Sequence, residues 1–250
     1  KFIKKIETIT DYKEDYNIYL HNYNQYEYYN KLKQDYDNWV NINQKNLEII
    51  LNFLVNHKYI NSNDFKSLNK ENVTLKGIIA SQINETNELL LTEMLLNNYF
   101  DNLKEEEIGG LLGIFLNSRC LDEDNNIYNN NDLDISEKLK IVLYKTSELS
   151  KELYEDEKKM DIYLQTEWEL NYNMVEYSYK WIKGVSFNEL YYDNYSGTFV
   201  KDMIKLDNII STLETLSKIC NKNNLYIRLQ NIHRKILRDI VSNESLYIKL

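Results

Sequence analysis

The stretch Asn72–Phe115, NVTLKGIIASQINETNELLLTEMLLNNYFDNLKEEEIGGLLGIF, carries the reading of the fold. A short β-prone piece, Val73-Thr74-Leu75, ends at Lys76-Gly77 and runs into an apolar segment, Ile78 to Ile83. After a polar turn, the apolar period predicts helices over Glu88–Asn97 and Leu103–Phe115, separated by Tyr99-Phe100-Asp101-Asn102. Gly109, Gly110 and Gly113 fall inside the second, apolar helix. That position predicts close helix packing, not a phosphate-binding loop.

Outward from this stretch, composition sets bounds. The chain has 250 residues, 43% of them hydrophobic and 28% charged, which is enough apolar material for a core and describes a globular class. With six glycines and no proline there are few breakers, so long helices are favoured over a turn-dense β fold. Cys120 and Cys220 stand far apart, with no Cys-x-x-Cys pair and no clustered histidines. This spacing argues against a metal site, excludes a disulfide framework and fits a reduced, intracellular setting. The longest apolar runs, Leu47–Val55 and Ile108–Leu116, are too short to span a bilayer. No Gly-x-x-x-x-Gly-Lys-Ser/Thr loop is present, so nothing here binds nucleotide in the usual way.

Tyr12, Tyr16, Tyr19, Tyr23 and Tyr26 recur every three or four residues and share one helical face. Such a stripe is what a helix–helix contact requires; stacking of RNA bases on the rings is the alternative. Leu47, Ile50, Leu51, Leu54 and Val55 mark a short amphipathic helix ending near His57–Ile60. The Asn-rich segment Asp122–Asp134 reads as a solvated loop, and Ile135, Leu139, Val142, Leu143, Leu149 and Leu153 as another amphipathic helix. Tyr172–Trp181 is helical up to a stop at Gly184, with Ser186 capping a short helix beyond it.

A long helix then spans Thr198–Cys220, opened by Gly197 and stopped at Asn221. Phe199, Met203, Leu206, Ile210, Leu213 and Cys220 form its core stripe, while Lys201, Lys205, Asn208 and Thr212 follow i, i+4, i+7, i+11 on another face. The net charge is −9 for the whole chain, but residues 196–250 hold nine lysines and arginines against five acids, a balance of +4. The rest carries −13, an asymmetry expected of a chain that turns one face to a phosphate backbone.

The opening stretch resembles the C-terminal (DSHCT) region of exosome-associated DExH-box RNA helicases of the superkiller and mRNA-transport type. The resemblance rests on Lys76, Gly77, Ala80, Ile83, Glu88, Leu89, Leu90, Thr92, Glu93, Leu95, Asn102, Leu103, Leu111, Leu112 and Phe115. Later segments extend it. Trp181, Gly184, Ser186 and Phe187 resemble the family's Trp-x-x-Gly-x-Ser-Phe run, Arg238 to Val241 its Arg-Asp-Ile-Val, and Ser245–Leu250 its closing residues. The long helix is similar to the family's ratchet helix, with Gly197, Lys201, Lys205 and Leu206 at matching positions. Ser196 and Ile204 depart from it, standing where the family has a glutamate and an arginine. Leu51, Leu54, Tyr59 and Ile60 match the run before the Lys-Gly motif, where the family closes a winged helix.

The resemblance implies a mainly α fold: a helical bundle with a ratchet-type long helix, preceded by part of a winged helix and a stalk-like helix. It divides the chain into a stalk-like helix at 1–45, a partial winged helix at 46–77 and the DSHCT bundle at 78–250. It implies the C-terminal, RNA-guiding portion of a longer ATP-dependent RNA helicase, with no catalytic or metal-binding residue in this segment. Single-stranded RNA, the upstream ATPase core and an exosome-like complex are the implied partners, without a membrane; ATP and Mg belong to the upstream core. The RNA contacts expected are Lys201, Lys205, Asn208 and Arg119. Lys205 stands for a base-contacting arginine and, lacking the planar fork, is expected to meet phosphate. Arg119 stands for an acid of the family, so it is either a phosphate ligand or an exposed helix-end arginine. Arg238 and Asp239 are expected to be structural. Two other readings remain open at this point: a non-enzymatic helical protein-interaction scaffold, and the equivalent module of a related DNA helicase.

Overall fold

The computed structural model describes residues 11–62, 67, 69–116, 133–160, 168–190 and 196–241. The chain divides into two compact units, 1–52 and 53–250. The described residues are mainly helical and contain no strand. Most of the Asp122–Asp134 loop, Cys120, Arg119 and the closing Ser245–Leu250 lie outside the described residues.

The first unit is built on α1, Tyr12–Asn56, which runs on into the second. The apolar period predicts a tyrosine-rich helix and a separate short one over Leu47–Val55. A single uninterrupted helix covers both. The residues between them, Asn41–Asn46, include no glycine or proline, and the Asn43 amide donates back to Trp39 O (2.9 Å) without capping a new start. The tyrosines do share a face: Tyr12 and Tyr16 stack with centroids 5.9 Å apart, Tyr19 and Tyr23 at 6.2 Å. Tyr16, Tyr19, Tyr23 and Tyr26 are exposed.

In the second unit, α1 stops at Asn56 and the chain turns through Lys58 (φ 61°). The β-prone Val73-Thr74-Leu75 does not become a strand. Val73 makes an isolated antiparallel bridge to Ile60, with Asn61 N donating to Asn72 O (2.8 Å) and Thr74 N to Tyr59 O (3.0 Å). Thr74 then serves as the N-cap of α2, Leu75–Ala80. Its hydroxyl accepts from Gly77 N (3.1 Å) and donates to Lys58 O (2.7 Å). A capping hydroxyl this close to the bridge ends the extended backbone after one pair.

Helix α3, Glu88–Leu96, starts on Asn87, whose Oδ1 accepts from Leu90 N (2.9 Å), and is followed by a left-handed Asn98 (φ 63°). Helix α4, Glu105–Leu112, continues as a 3-10 turn over Gly113–Phe115. The buried carboxylate of Glu107 links two helix starts, accepting from Lys104 N (2.7 Å) at α4 and from Ser136 Oγ (2.6 Å), the N-cap of α5, Glu137–Lys159. Helix α6 follows at Val175–Lys183 and ends on Gly184 at φ 107°. Ser186 stands at the start of the 3-10 turn Phe187–Glu189, as expected, though its hydroxyl makes no capping bond.

Helix α4 is the hub, packing against α5, α6, the long helix α7 (Ser196–Ile219) and α8 (Asn223–Ile236). The three glycines explain the closeness of α6. A Cβ at Gly109 would lie 1.8 Å from Ile182 Cδ1, and one at Gly113 would lie 2.8 Å from Met174 O and 2.9 Å from Val175 Cα. Around this contact Leu90, Leu91, Met94, Leu95, Phe100, Ile108, Leu111, Leu112 and Trp181 are fully buried. The decisive stretch is therefore the core itself. Two of its three matched charges also meet: Lys76 pairs with Glu93, and the Lys76 ammonium lies 4.5 Å from the Tyr59 ring centroid. Both side chains are largely shielded, so this pair is a structural tie.

Candidate nucleic-acid interface

Helix α7 arises from an alternation that the sequence shows at helical period. Phe199, Met203, Leu206, Ile209, Ile210, Leu213 and Leu216 are buried on one side. Phe199 meets Trp181 edge-on (centroids 5.1 Å) and Phe187 at 5.3 Å, which fixes the start of the helix against α6 and the turn after it. Asn221, at φ 55°, follows the end of the helix and adopts the left-handed stop expected of it.

The opposite face holds the predicted contacts. Lys201 and Asn208 are exposed, Lys205 and Thr212 half-buried, and the Thr212 hydroxyl donates to Asn208 O (3.0 Å). The structure thus brings Lys201, Lys205 and Asn208 onto one side of α7. Neither lysine forms a salt bridge among the described residues. Ile204, exposed between them, occupies this face without charge. Arg119 cannot be joined to this face, since it lies outside the described residues.

Two acids of α7 are shifted by burial. Asp202 is buried, and burial pushes its carboxyl up to about 6, against a smaller opposing pull from Lys205. Its place is readable in the sequence, three residues after Phe199 and four before Leu206 on the core stripe. Asp207 is likewise pushed up by burial and is held by His233 of α8, with Nδ1 to Oδ1 at 2.7 Å, which opposes the shift. This contact between α7 and α8 has no signal in the sequence, because the partners are not periodic neighbours.

Helix α8 contains no carboxylate. Several of its cations are structural: Arg228 donates to the carbonyls of Phe100 (2.9 Å) and Leu103, and Lys235 pairs with Glu105 (2.5 Å). Arg238, beyond the helix, donates to Trp181 O (2.8 Å) and Val185 O (2.6 Å) while its guanidinium lies 3.7 Å from the Trp181 ring centroid. The structural role expected for Arg238 is seen directly. Among the described residues no group of three or more His, Cys, Asp or Glu side chains could hold a metal ion. Nor is any described helix long and apolar enough to cross a membrane.

What this arrangement can do is present charge and hydrogen-bonding groups along a rigid rod. Comparison with known proteins places it. Residues 70–244 match the DSHCT (NUC185) domain. The chain is 29% identical over 186 residues to the antiviral helicase SKI2 of Saccharomyces cerevisiae, covering 71% of this chain and 14% of that protein. It is 24% identical over 181 residues to the ATP-dependent RNA helicase mtr4 of Schizosaccharomyces pombe, covering 70% of this chain and 16% of that protein. With the exosome RNA helicase MTR4 of Homo sapiens it shares 25% identity over 182 residues, covering 70% and 17%. The match spans well under a fifth of each of these relatives. The chain belongs to the DSHCT domain family.

Proposed function

We propose that this chain is the RNA-guiding module of an ATP-dependent RNA helicase, acting as its C-terminal portion and performing no chemistry of its own. One observation carries the reading: α7 buries one side in the core and turns Lys201, Lys205 and Asn208 outward together, with neither lysine spent on a salt bridge among the described residues. On this reading the lysines hold successive phosphates of single-stranded RNA leaving an upstream ATPase core, which supplies the ATP and Mg sites. Arg119 is a further phosphate ligand. Helix α7 acts as the ratchet helix, residues 46–77 as the closing part of a winged helix and residues 1–45 as a stalk-like helix. An exosome-like complex is the proposed downstream partner, in keeping with the name of the human relative.

The test is made in the full-length protein. K201E together with K205E lowers RNA unwinding at least about tenfold through lost phosphate contacts, while ATP hydrolysis without RNA is unchanged. Unwinding that survives both changes overturns the reading. A parallel titration of RNA and DNA oligonucleotides in the ATPase assay separates an RNA helicase from a DNA helicase. A second reading, a non-enzymatic protein-interaction scaffold, draws on the exposed tyrosines of α1. It is favoured if the upstream gene encodes no phosphate loop or DExH box.

A further inference from the structure

Of the cations on and between α7 and α8, Lys222 pairs with Asp101 (3.4 Å), Lys235 pairs with Glu105, and Arg228 is committed to backbone carbonyls. Lys218, near the other end of α7 from Lys201, is not committed in this way. It is exposed, and Glu214, one turn earlier, makes no salt bridge with it. Its ammonium lies 4.6 Å from the ring centroid of Tyr226 on α8, a ring fixed in turn by the Gln230 amide donating to its hydroxyl (2.6 Å). An exposed lysine normally samples many rotamers; one held over a ring has part of that entropy removed in advance.

The helical period puts Lys218 at the border of the outward face that holds Lys201 and Asn208. Between them the exposed residues are uncharged, with Asn208, Ser211 and Thr215 polar and Ile204 apolar, while Glu214 is half-buried one turn before Lys218. At 1.5 Å per residue, Lys218 stands roughly 26 Å along α7 from Lys201. The neighbouring acid Asp207 is in contact with His233 (2.7 Å), and α8 contributes no carboxylate. The two ends of α7 therefore present positive charge, joined by a mostly polar strip on which Glu214 and Asp207 are half-buried.

Resting on the reading of α7 as an RNA-contacting helix, we propose that the bound strand runs lengthwise along α7 and ends on a second phosphate site at Lys218. Tyr226 is its positioning residue: the ring holds the ammonium outward and does not itself touch RNA. The partner is a single-stranded RNA long enough to reach both ends, and the sugar–phosphate backbone, not base identity, is what the second site reads.

Fluorescence anisotropy with a four-nucleotide and a twelve-nucleotide oligouridine, on the 250-residue chain, tests this. K218A is expected to weaken the long oligonucleotide about 3- to 10-fold and to reduce its salt slope by roughly 0.7, leaving the short one unchanged. Y226L should reproduce the loss and Y226F should not, since phenylalanine keeps the ring; a merely structural tyrosine would not change length dependence. Equal loss on both lengths, or none on either, overturns the second site. Overturning it as well would be competition by an oligoglutamate peptide that depends on Lys218 as strongly as the RNA does, because the surface would then be a peptide site. The parent reading fails separately, when K201E with K205E leaves both oligonucleotides bound as before.

Discussion

At the residue scale, Asp202 shows how a matched pattern can hide a cost. It lies on the core stripe of α7, and its carboxyl is pushed up to about 6 by burial, from an ordinary 3.8. The folded state thus holds this proton more tightly than the unfolded chain does. The sign follows: Asp202 opposes folding above pH 6, and the penalty fades as pH falls through 6 towards 4. We expect D202N, which keeps the shape, to stabilise the chain at pH 7.5 by about 1–2 kcal/mol, the shift being discounted for partial solvent screening, and to show little gain at pH 4. Urea unfolding of both proteins at the two pH values checks this, and equal stability at pH 7.5 would refute it. Lys76 and Glu93 show the opposite arrangement, two shielded charges that answer one another between α2 and α3.

At the element scale, four of the described helices, α1, α3, α6 and α7, end by left-handed residues, in a chain without proline. Lys58, Asn98, Asn221 and Gly184 all have positive φ, and each follows a helix. Gly184 is the only glycine among them, at φ 107°. A Cβ there would find open space, so the penalty of substitution is conformational and not steric. G184A is expected to cost about 1 kcal/mol, whereas N221G should be neutral or stabilising by a few tenths, since glycine removes the left-handed strain that asparagine only eases. Thermal unfolding of the two variants measures both. A stabilised G184A would show that α6 does not depend on its stop. The ends at Gly184 and Asn221 were legible in the sequence, because a left-handed stop is a local requirement that Gly and Asn satisfy by themselves; that at Lys58 was not.

At the scale of the whole molecule, the bundle depends on how closely α6 approaches α4. Gly109, Gly110 and Gly113 face that approach, and the atoms in their way differ in kind. At Gly109 the obstacle is the end of the Ile182 side chain; at Gly113 it is the Met174 and Val175 backbone. G109A is therefore expected to cost about 2 kcal/mol by overpacking and to be partly relieved by I182V, while no single side-chain trimming relieves G113A. Chemical denaturation of G109A, G109A/I182V and G113A provides the comparison. Rescue of neither variant would argue that the glycines serve backbone freedom, not packing.

The sequence by itself determined most of the helices, the stops at Gly184 and Asn221, the core stripe of α7 and the outward grouping of Lys201, Lys205 and Asn208. All of these depend on residues within a few turns of one another, where the helical period acts directly. It also carried the family, through fixed spacings within one contiguous stretch. Only the tertiary structure decided that Val73 makes a single bridge and not a strand, since Thr74 is drawn into capping by the Lys58 and Tyr59 carbonyls. The same holds for the Lys76–Glu93 tie, the Asp207–His233 contact and the ring beneath Lys218. Each of these is set by a neighbour or a competing bond that no local period encodes. Burial and pairing in three dimensions, not residue type, decide which charges stay in the fold and which remain for a ligand.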